Sequence, residues 1–328
     1  MTTDASSDQG TSRFAMEFGH DCVACGSDRT RGRFDVPETM FRTGDSFTYR
    51  ECDVCGSLQI DVVPPDLAVH YDSDHYYSFA EPDQRLQRRW LRWAPTRLAL
   101  RLNTELYLRT GAGRGIPWAR KAGIRPADRI LDFGCGRGYF LLMLHLLGYK
   151  HLLGADAFLD ASLEVAPGVS VLKATHQEVE GRFDWVMMHH SFEHIADPRA
   201  LLTSVQEMLT SDGRVLIRMP VAGNFAWREY GVDWAQLDAP RHLALYTTDG
   251  FRRLAEECGF LLEDIFYDSD SFQFFGSEIV RSGGAYVGRP TEGFSAQQLA
   301  AWAKEAERLN RIHDGDQACF VLRSERRS

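Results

Sequence analysis

The sequence has no apolar run approaching the roughly 18 residues of a membrane-spanning helix. Its first dozen residues are polar, without the basic start and apolar stretch of a secretory signal. An excess of positive charge is missing too: 37 Lys and Arg against 46 Asp and Glu give a formal charge of −9. That sign argues against a broad, nonspecific attraction to nucleic acid. Cysteine is scarce, with seven in 328 residues. Without an export signal they point to a reducing cytoplasm, where paired cysteines hold metal more often than they form disulfides. At this length one large core and one small satellite module are expected.

What is present divides sharply. Cys22-Val23-Ala24-Cys25-Gly26 and Cys52-Asp53-Val54-Cys55-Gly56 form two C-x-x-C-G knuckles. Two thiolates on a tight turn can bind one tetrahedral ion, and the glycine lets the turn close around it. Cys22, Cys25, Cys52 and Cys55 therefore supply all four ligands and leave no open position. A structural Zn2+ in a zinc ribbon is expected, its small core dependent on the metal. Cys135, Cys258 and Cys319 fall singly in core or turn segments and read as buried thiols.

Asp132-Phe133-Gly134-Cys135-Gly136-Arg137-Gly138 follows a short apolar stretch and opens onto Tyr139 to Leu147, which reads as a helix. Strand, glycine-rich turn and helix let a backbone pass close to a nucleotide-like ligand. The spacing is G-x-G-x-G with an acid two residues ahead. A carboxylate there suits a ligand bearing an ammonium group and would repel a pyrophosphate. The run resembles the first motif of class I S-adenosylmethionine-dependent methyltransferases. On that resemblance Asp132, Gly134, Gly136, Gly138 and His189 face the donor, and Asp156, ending a second strand, accepts the ribose hydroxyls. Further strands are expected at 169–172, 183–189, 214–220, 261–267 and 318–323, with helices at 198–209 and from Thr248 to near Gly259. Strand and helix alternate, so the expected fold class is α/β: a doubly wound, Rossmann-like, seven-stranded methyltransferase sheet with a small N-terminal zinc-ribbon module.

The expected organisation is a disordered tail over 1–20, the ribbon over 21–62, a helical linker or cap over 63–120 and the methyltransferase domain over 121–328. Eleven Lys or Arg lie between Arg85 and Arg125 against one acid, Glu105, interleaved with apolar residues at helical spacing. Such a stretch reads as a cap on the sheet, and is also compatible with peripheral membrane contact or a phosphorylated acceptor. Tyr71 to Ser78 is dense in hydroxyls and rings and suits a polyol pocket as well as a surface turn.

A ribbon ending in C-x-x-C-G-S-L-Q-I, the Tyr-Tyr-Ser cluster, the glycine motif and the run Trp234 to Leu243 together resemble zinc-ribbon methyltransferases of bacterial glycan and natural-product gene clusters. That implies a small-molecule acceptor, such as a nucleotide- or lipid-linked sugar. An RNA methyltransferase using the ribbon for selection is the alternative, but residues 21–61 hold five arginines against eight acids. A non-catalytic donor-binding scaffold is the other.

Chemistry belongs at the carboxyl ends of the central strands. There His190, Glu193 and His194 share one face if the turn is helical. His194 is expected as general base with Glu193 as its orienting partner. With His242 from a later loop, the same three residues can instead hold a divalent ion.

Overall fold

The computed structural model describes residues 16–17, 21–71, 116–287 and 290–325. Most of the expected tail, of the linker and of the basic stretch, and the Tyr71–Ser78 cluster beyond Tyr71, lie outside the described residues; within the tail, Met16–Glu17 are not disordered as expected but pair with Val62–Val63. Strands and helices are numbered in chain order, leaving out a two-residue pairing of Met16–Glu17 with Val62–Val63.

The region expected as a ribbon, called the ribbon below, contributes β1 (Thr30–Pro37), β2 (Ser46–Cys52) and β3 (Leu58–Ile60), paired antiparallel. The large sheet contains β4 (Arg129–Phe133), β5 (His151–Ala155), β6 (Leu163–Ala166), β7 (Val169–Leu172), β8 (Phe183–His189) and β9 (Leu209–Pro220). Two later strands, β11 (Phe260–Tyr267) and β12 (Gln317–Ser324), complete it. Its order is β11-β12-β9-β8-β4-β5-β7-β6. The five strands β9, β8, β4, β5 and β7 run parallel; the edges add antiparallel pairs. Eight strands replace the expected seven because Leu163–Ala166 folds back on β7 as an extra edge. The Rossmann-like reading holds.

β4 and β8 are apolar runs buried on both faces, as central parallel strands must be. α1 (Pro117–Ala122) and α2 (Tyr139–Leu147) pack Trp118, Leu141, Leu144 and Leu147 into one core layer. α3 (Pro198–Met208) starts where the Asp197 side chain accepts the Ala200 N–H, and packs Leu201, Leu202 and Val205 into the other. α4 (Phe225–Tyr230) precedes the loop to β10 (Ala244–Leu245). α5 (Thr248–Glu257) is capped by Thr247, α6 (Phe272–Arg281) follows β11, and α7 (Ala296–Arg311) opens on a Ser295/Gln298 capping box.

The ribbon is not a separate bead. β10 pairs with β3 through Ala244–Gln59 and Leu245–Leu58, so a strand of the methyltransferase region completes the ribbon sheet. Tyr49, Leu58 and Ile60 share a core cluster with Trp234, Leu237, Leu243 and Leu245. Cys22, Ala24 and Cys52 lie in the same cluster as Phe251 and Leu254 of α5. Among the described residues no helix is long and apolar enough to cross a membrane.

Candidate active site and metal centre

The glycine turn follows from its backbone. Gly134, Gly136 and Gly138 have φ of 72°, 53° and 79°, a region that side chains disfavour. A Cβ on Gly134 would stand 2.5 Å from Ser191 Cβ, so the turn after β8 sits directly on this loop. Asp132, next to last in β4, is buried, and neither carboxylate oxygen has a hydrogen-bond partner. Burial and the nearby Asp156 charge raise its pKa to about 8. An orphaned buried acid beside a glycine turn fits the ammonium group of an amino-acid ligand.

Asp156 is placed differently from a free ribose acceptor. Its two oxygens accept the N–H groups of Gly136 at 2.8 Å and Phe158 at 2.9 Å, so it also braces the glycine turn. His189 is buried between Trp118 and Phe140, with ring centroids 4.1 and 4.7 Å away. Neither of its ring nitrogens has a hydrogen-bond partner, and burial holds the imidazole neutral.

After β8 the chain turns sharply: His190 has φ 50°, and Phe192–His194 form one helical turn. His194 Nδ1 lies 2.8 Å from the Arg241 carbonyl. A carbonyl only accepts, so Nδ1 carries the proton and Nε2 keeps its lone pair. The Tyr71 hydroxyl is 2.9 Å from the same Nδ1. Tyr71 also stacks on Phe158, next to Asp156, and so spans the two halves of the site. His242 repeats the pattern: its Nδ1 lies 2.8 Å from the Gln236 carbonyl, and its ring centroid is 4.8 Å from that of His194. Burial, with His242 adding, lowers His194 to about 3, so it is neutral at working pH.

Glu193 is not the orienting partner of His194; the Arg241 carbonyl is. The Glu193 carboxylate is fully buried and lacks hydrogen-bond partners. It lies 3.5 Å from His190 Nδ1 and 3.8 Å from His242 Nε2. Burial raises it to about 8. One ligand atom each of Glu193, His194 and His242 fall within 4.8 Å of one another, a spacing that can also hold a cation.

At the ribbon, one sulfur from each of Cys22, Cys25, Cys52 and Cys55 lies within 4.8 Å of the others, with Cys22–Cys55 and Cys25–Cys52 at 3.6 Å. Zinc–sulfur bonds of about 2.3 Å in a tetrahedron place sulfurs roughly 3.8 Å apart. Gly26 and Gly56 donate to the Cys22 and Cys52 carbonyls and take φ of 69° and 72°, closing both knuckles. The donor set fits zinc. Of the three other cysteines Cys319 is buried, while Cys135 and Cys258 are only half-buried.

Arg241, beside Asp238, was expected on a loop covering the acceptor, and sequence reasoning missed Glu38, Tyr49 and Tyr286. Arg241 is fully buried and pairs with Glu38 at 2.7 Å and Asp238 at 2.6 Å. Nothing in local spacing joins residues 38 and 241; only the ribbon's docking does.

A family model described as a methyltransferase domain matches residues 82–264, more than half of the chain. The chain belongs to this family and is an S-adenosylmethionine-dependent methyltransferase. Among curated proteins none matches. Geranyl diphosphate C-methyltransferase from Streptomyces coelicolor A3(2), solved with Mg2+, geranyl diphosphate and S-adenosyl-L-homocysteine, is similar at TM-score 0.43. It is 13% identical over 67% of this chain and 82% of that one. An S-adenosylmethionine-dependent methyltransferase from Mesorhizobium loti is 18% identical over 63% and 96%, at TM-score 0.39.

Proposed function

We propose that this enzyme methylates a hydroxyl or acidic carbon of a sugar-like or natural-product small molecule, with His194 as general base and a structural zinc in the ribbon. The observation that carries the reading is His194 itself. Its Nδ1 lies 2.8 Å from the Arg241 carbonyl, which leaves Nε2 to take a proton, and it stands three residues after Ser191, which abuts the glycine loop.

When bound, S-adenosylmethionine supplies an electrophilic methyl group. Asp132 holds the ammonium end of the donor, and Asp156 keeps the glycine turn shaped to receive it. His194 Nε2 would take the proton of the acceptor hydroxyl or carbon that receives the methyl group. Asp238, whose carboxylate lies 3.8 Å from His242 Nε2, is a fixed negative charge nearby.

The ribbon's arginines speak against the RNA reading. Arg29, Arg31, Arg33 and Arg50 pair with Asp53, Glu51 or Asp61, and Arg42 donates to the Val280 and Gly284 carbonyls. Cations neutralised in this way have little to offer phosphates.

The test is methyl-labelled donor with panels of nucleotide sugars, polyols, phenols and bulk RNA. The reading expects label in a small molecule, and loss of about 10²–10⁴-fold in His194→Ala. Label in RNA alone contradicts it. Turnover abolished by a chelator and restored by added Mg2+ or Mn2+, with the ribbon metal intact, makes the Glu193–His194–His242 cluster a cation site and removes the base assignment.

A further inference from the structure

We propose that Arg241, Glu38 and Tyr49 are positioning residues: a buried latch by which the ribbon sets the orientation of both imidazoles in the acceptor site. The inference rests on His194 as the acceptor-facing base and explains what the ribbon does for it.

The latch starts at the ribbon's far turn. Glu38 is buried, and its carboxylate accepts the N–H groups of Met40, Phe41 and Thr43 at 3.1–3.2 Å, which fixes that turn. One of its oxygens receives Arg241 at 2.7 Å. The same guanidinium donates to the Asp238 carboxylate at 2.6–3.1 Å and to the His70 carbonyl at 2.9 Å. Phe41 lies under it, 5.3 Å from ring centroid to guanidinium carbon, and Tyr286 donates to Asp238 at 2.5 Å. Three separate segments thus converge on one side chain. Its planar fork allows only a narrow range of arrangements.

The backbone of that residue is what the site uses. The Arg241 carbonyl accepts His194 Nδ1–H, and His242 is the next residue. The His242 carbonyl accepts the Tyr49 hydroxyl at 2.6 Å, and the Leu243 carbonyl accepts Ile60 N–H at 2.9 Å. From the other side Leu243 N–H donates to the Glu193 carbonyl at 2.8 Å. Of three consecutive carbonyls, two are therefore held by the ribbon directly and one through its residue's own side chain.

Burying three charges is a poor way to gain stability, since well-packed apolar residues often do as well or better. Geometry is what this arrangement supplies in addition. With one cation and two carboxylates the triad also keeps a net negative charge beside His242, suited to a nearby imidazolium.

The experiment reads the imidazoles directly and needs no acceptor. Full-length protein is labelled with 15N-histidine and long-range 1H–15N spectra are recorded, with His194→Gln and His242→Gln giving the assignments. Both wild-type rings are expected as neutral Nδ1–H tautomers. In Glu38→Gln the His194 tautomer ratio should fall about five- to tenfold, the worth of one hydrogen bond, and Arg241→Lys should do the same because it lacks the fork. Tyr49→Phe, which removes a single oxygen, should shift the His242 signals and serves as the second variant if Glu38→Gln does not fold. Unchanged tautomers and shifts in folded Glu38→Gln or folded Tyr49→Phe overturn the latch. S-adenosylhomocysteine calorimetry on the same samples judges the donor site separately: retained binding with altered tautomers supports the latch, and absent binding in wild type contradicts the donor assignment alone.

Discussion

The Nδ1 atom of His194 and the carbonyl oxygen of Arg241 lie 2.8 Å apart across 47 residues of sequence. The contact joins the turn after β8 to a loop that the ribbon holds in place. In the proposed function it sets which nitrogen of His194 is free to take a proton, and links the sheet to the region that holds the four cysteines.

Removing Arg241 should therefore be costly. Arg241→Ala leaves the buried Glu38 and Asp238 carboxylates without their cation. A loss of about 3–5 kcal/mol is expected, measured by urea unfolding at neutral pH. A change below about 0.5 kcal/mol, the usual scale of a surface substitution, would contradict the burial and pairing described.

The glycine turn gives a prediction that needs no acceptor. Gly134→Ala forces a side chain into a positive-φ position, at roughly 1–2 kcal/mol of strain, and its Cβ meets Ser191. S-adenosylhomocysteine affinity should drop about tenfold or more, because a turn displaced to relieve the Ser191 clash no longer matches the donor, and about 1.4 kcal/mol of lost contact is tenfold. Isothermal calorimetry with wild-type affinity would count against this turn as the donor cradle.

Proton linkage follows from the raised carboxyls. Burial lifts Asp132 and Glu193 to about 8, above their unfolded values. Between about pH 5 and 8 the folded state therefore holds protons that the unfolded state has released, and stability falls as pH rises through this window. Thermal unfolding of ligand-free protein should show that slope, and Asp132→Asn should lessen it. Donor binding should release a proton near pH 7, read as a heat that depends on the buffer's ionisation enthalpy. Equal slopes in wild type and Asp132→Asn would contradict the assignment.

Much of this site was legible in sequence because its parts are local. Val169–Leu172, Phe183–His189 and Tyr139–Leu147 occupy their expected spans, since periodicity and turn residues decide such segments within a few residues. The two knuckles bring their four sulfurs together as their spacing implied. The edge strand Leu163–Ala166 was not legible; its short mixed run carries no clear alternation. Nor was the partnership of Ala244–Leu245 with β3, or of Glu38 with Arg241, because both exist only once the ribbon docks. Glu193 was expected as the orienting partner of His194 from a spacing that puts His190, Glu193 and His194 on one face of a helical turn. In the fold the Glu193 carboxylate lies 3.5 Å from His190 Nδ1 and 3.8 Å from His242 Nε2, while His194 Nδ1 meets the Arg241 carbonyl.

The ribbon should carry one zinc per chain by elemental analysis, and Cys22→Ser or Cys55→Ser should lose it. Because β10 completes the ribbon sheet and Thr247, the cap of α5, donates to the Cys55 carbonyl at 2.7 Å, the loss should spread. Hydrogen exchange should rise over residues 235–250 as well as in the ribbon. Exchange changes confined to 21–62 would contradict the docking.

The most direct measurement of the central claim is calorimetric titration of S-adenosylhomocysteine into wild type and Asp132→Asn. A site built around the orphaned Asp132 carboxylate predicts one ligand per chain. It also predicts affinity weakened about tenfold or more in the variant, the worth of a charge-assisted hydrogen bond of roughly 1.5–3 kcal/mol. No binding to wild type, or equal affinity in both proteins, would contradict it.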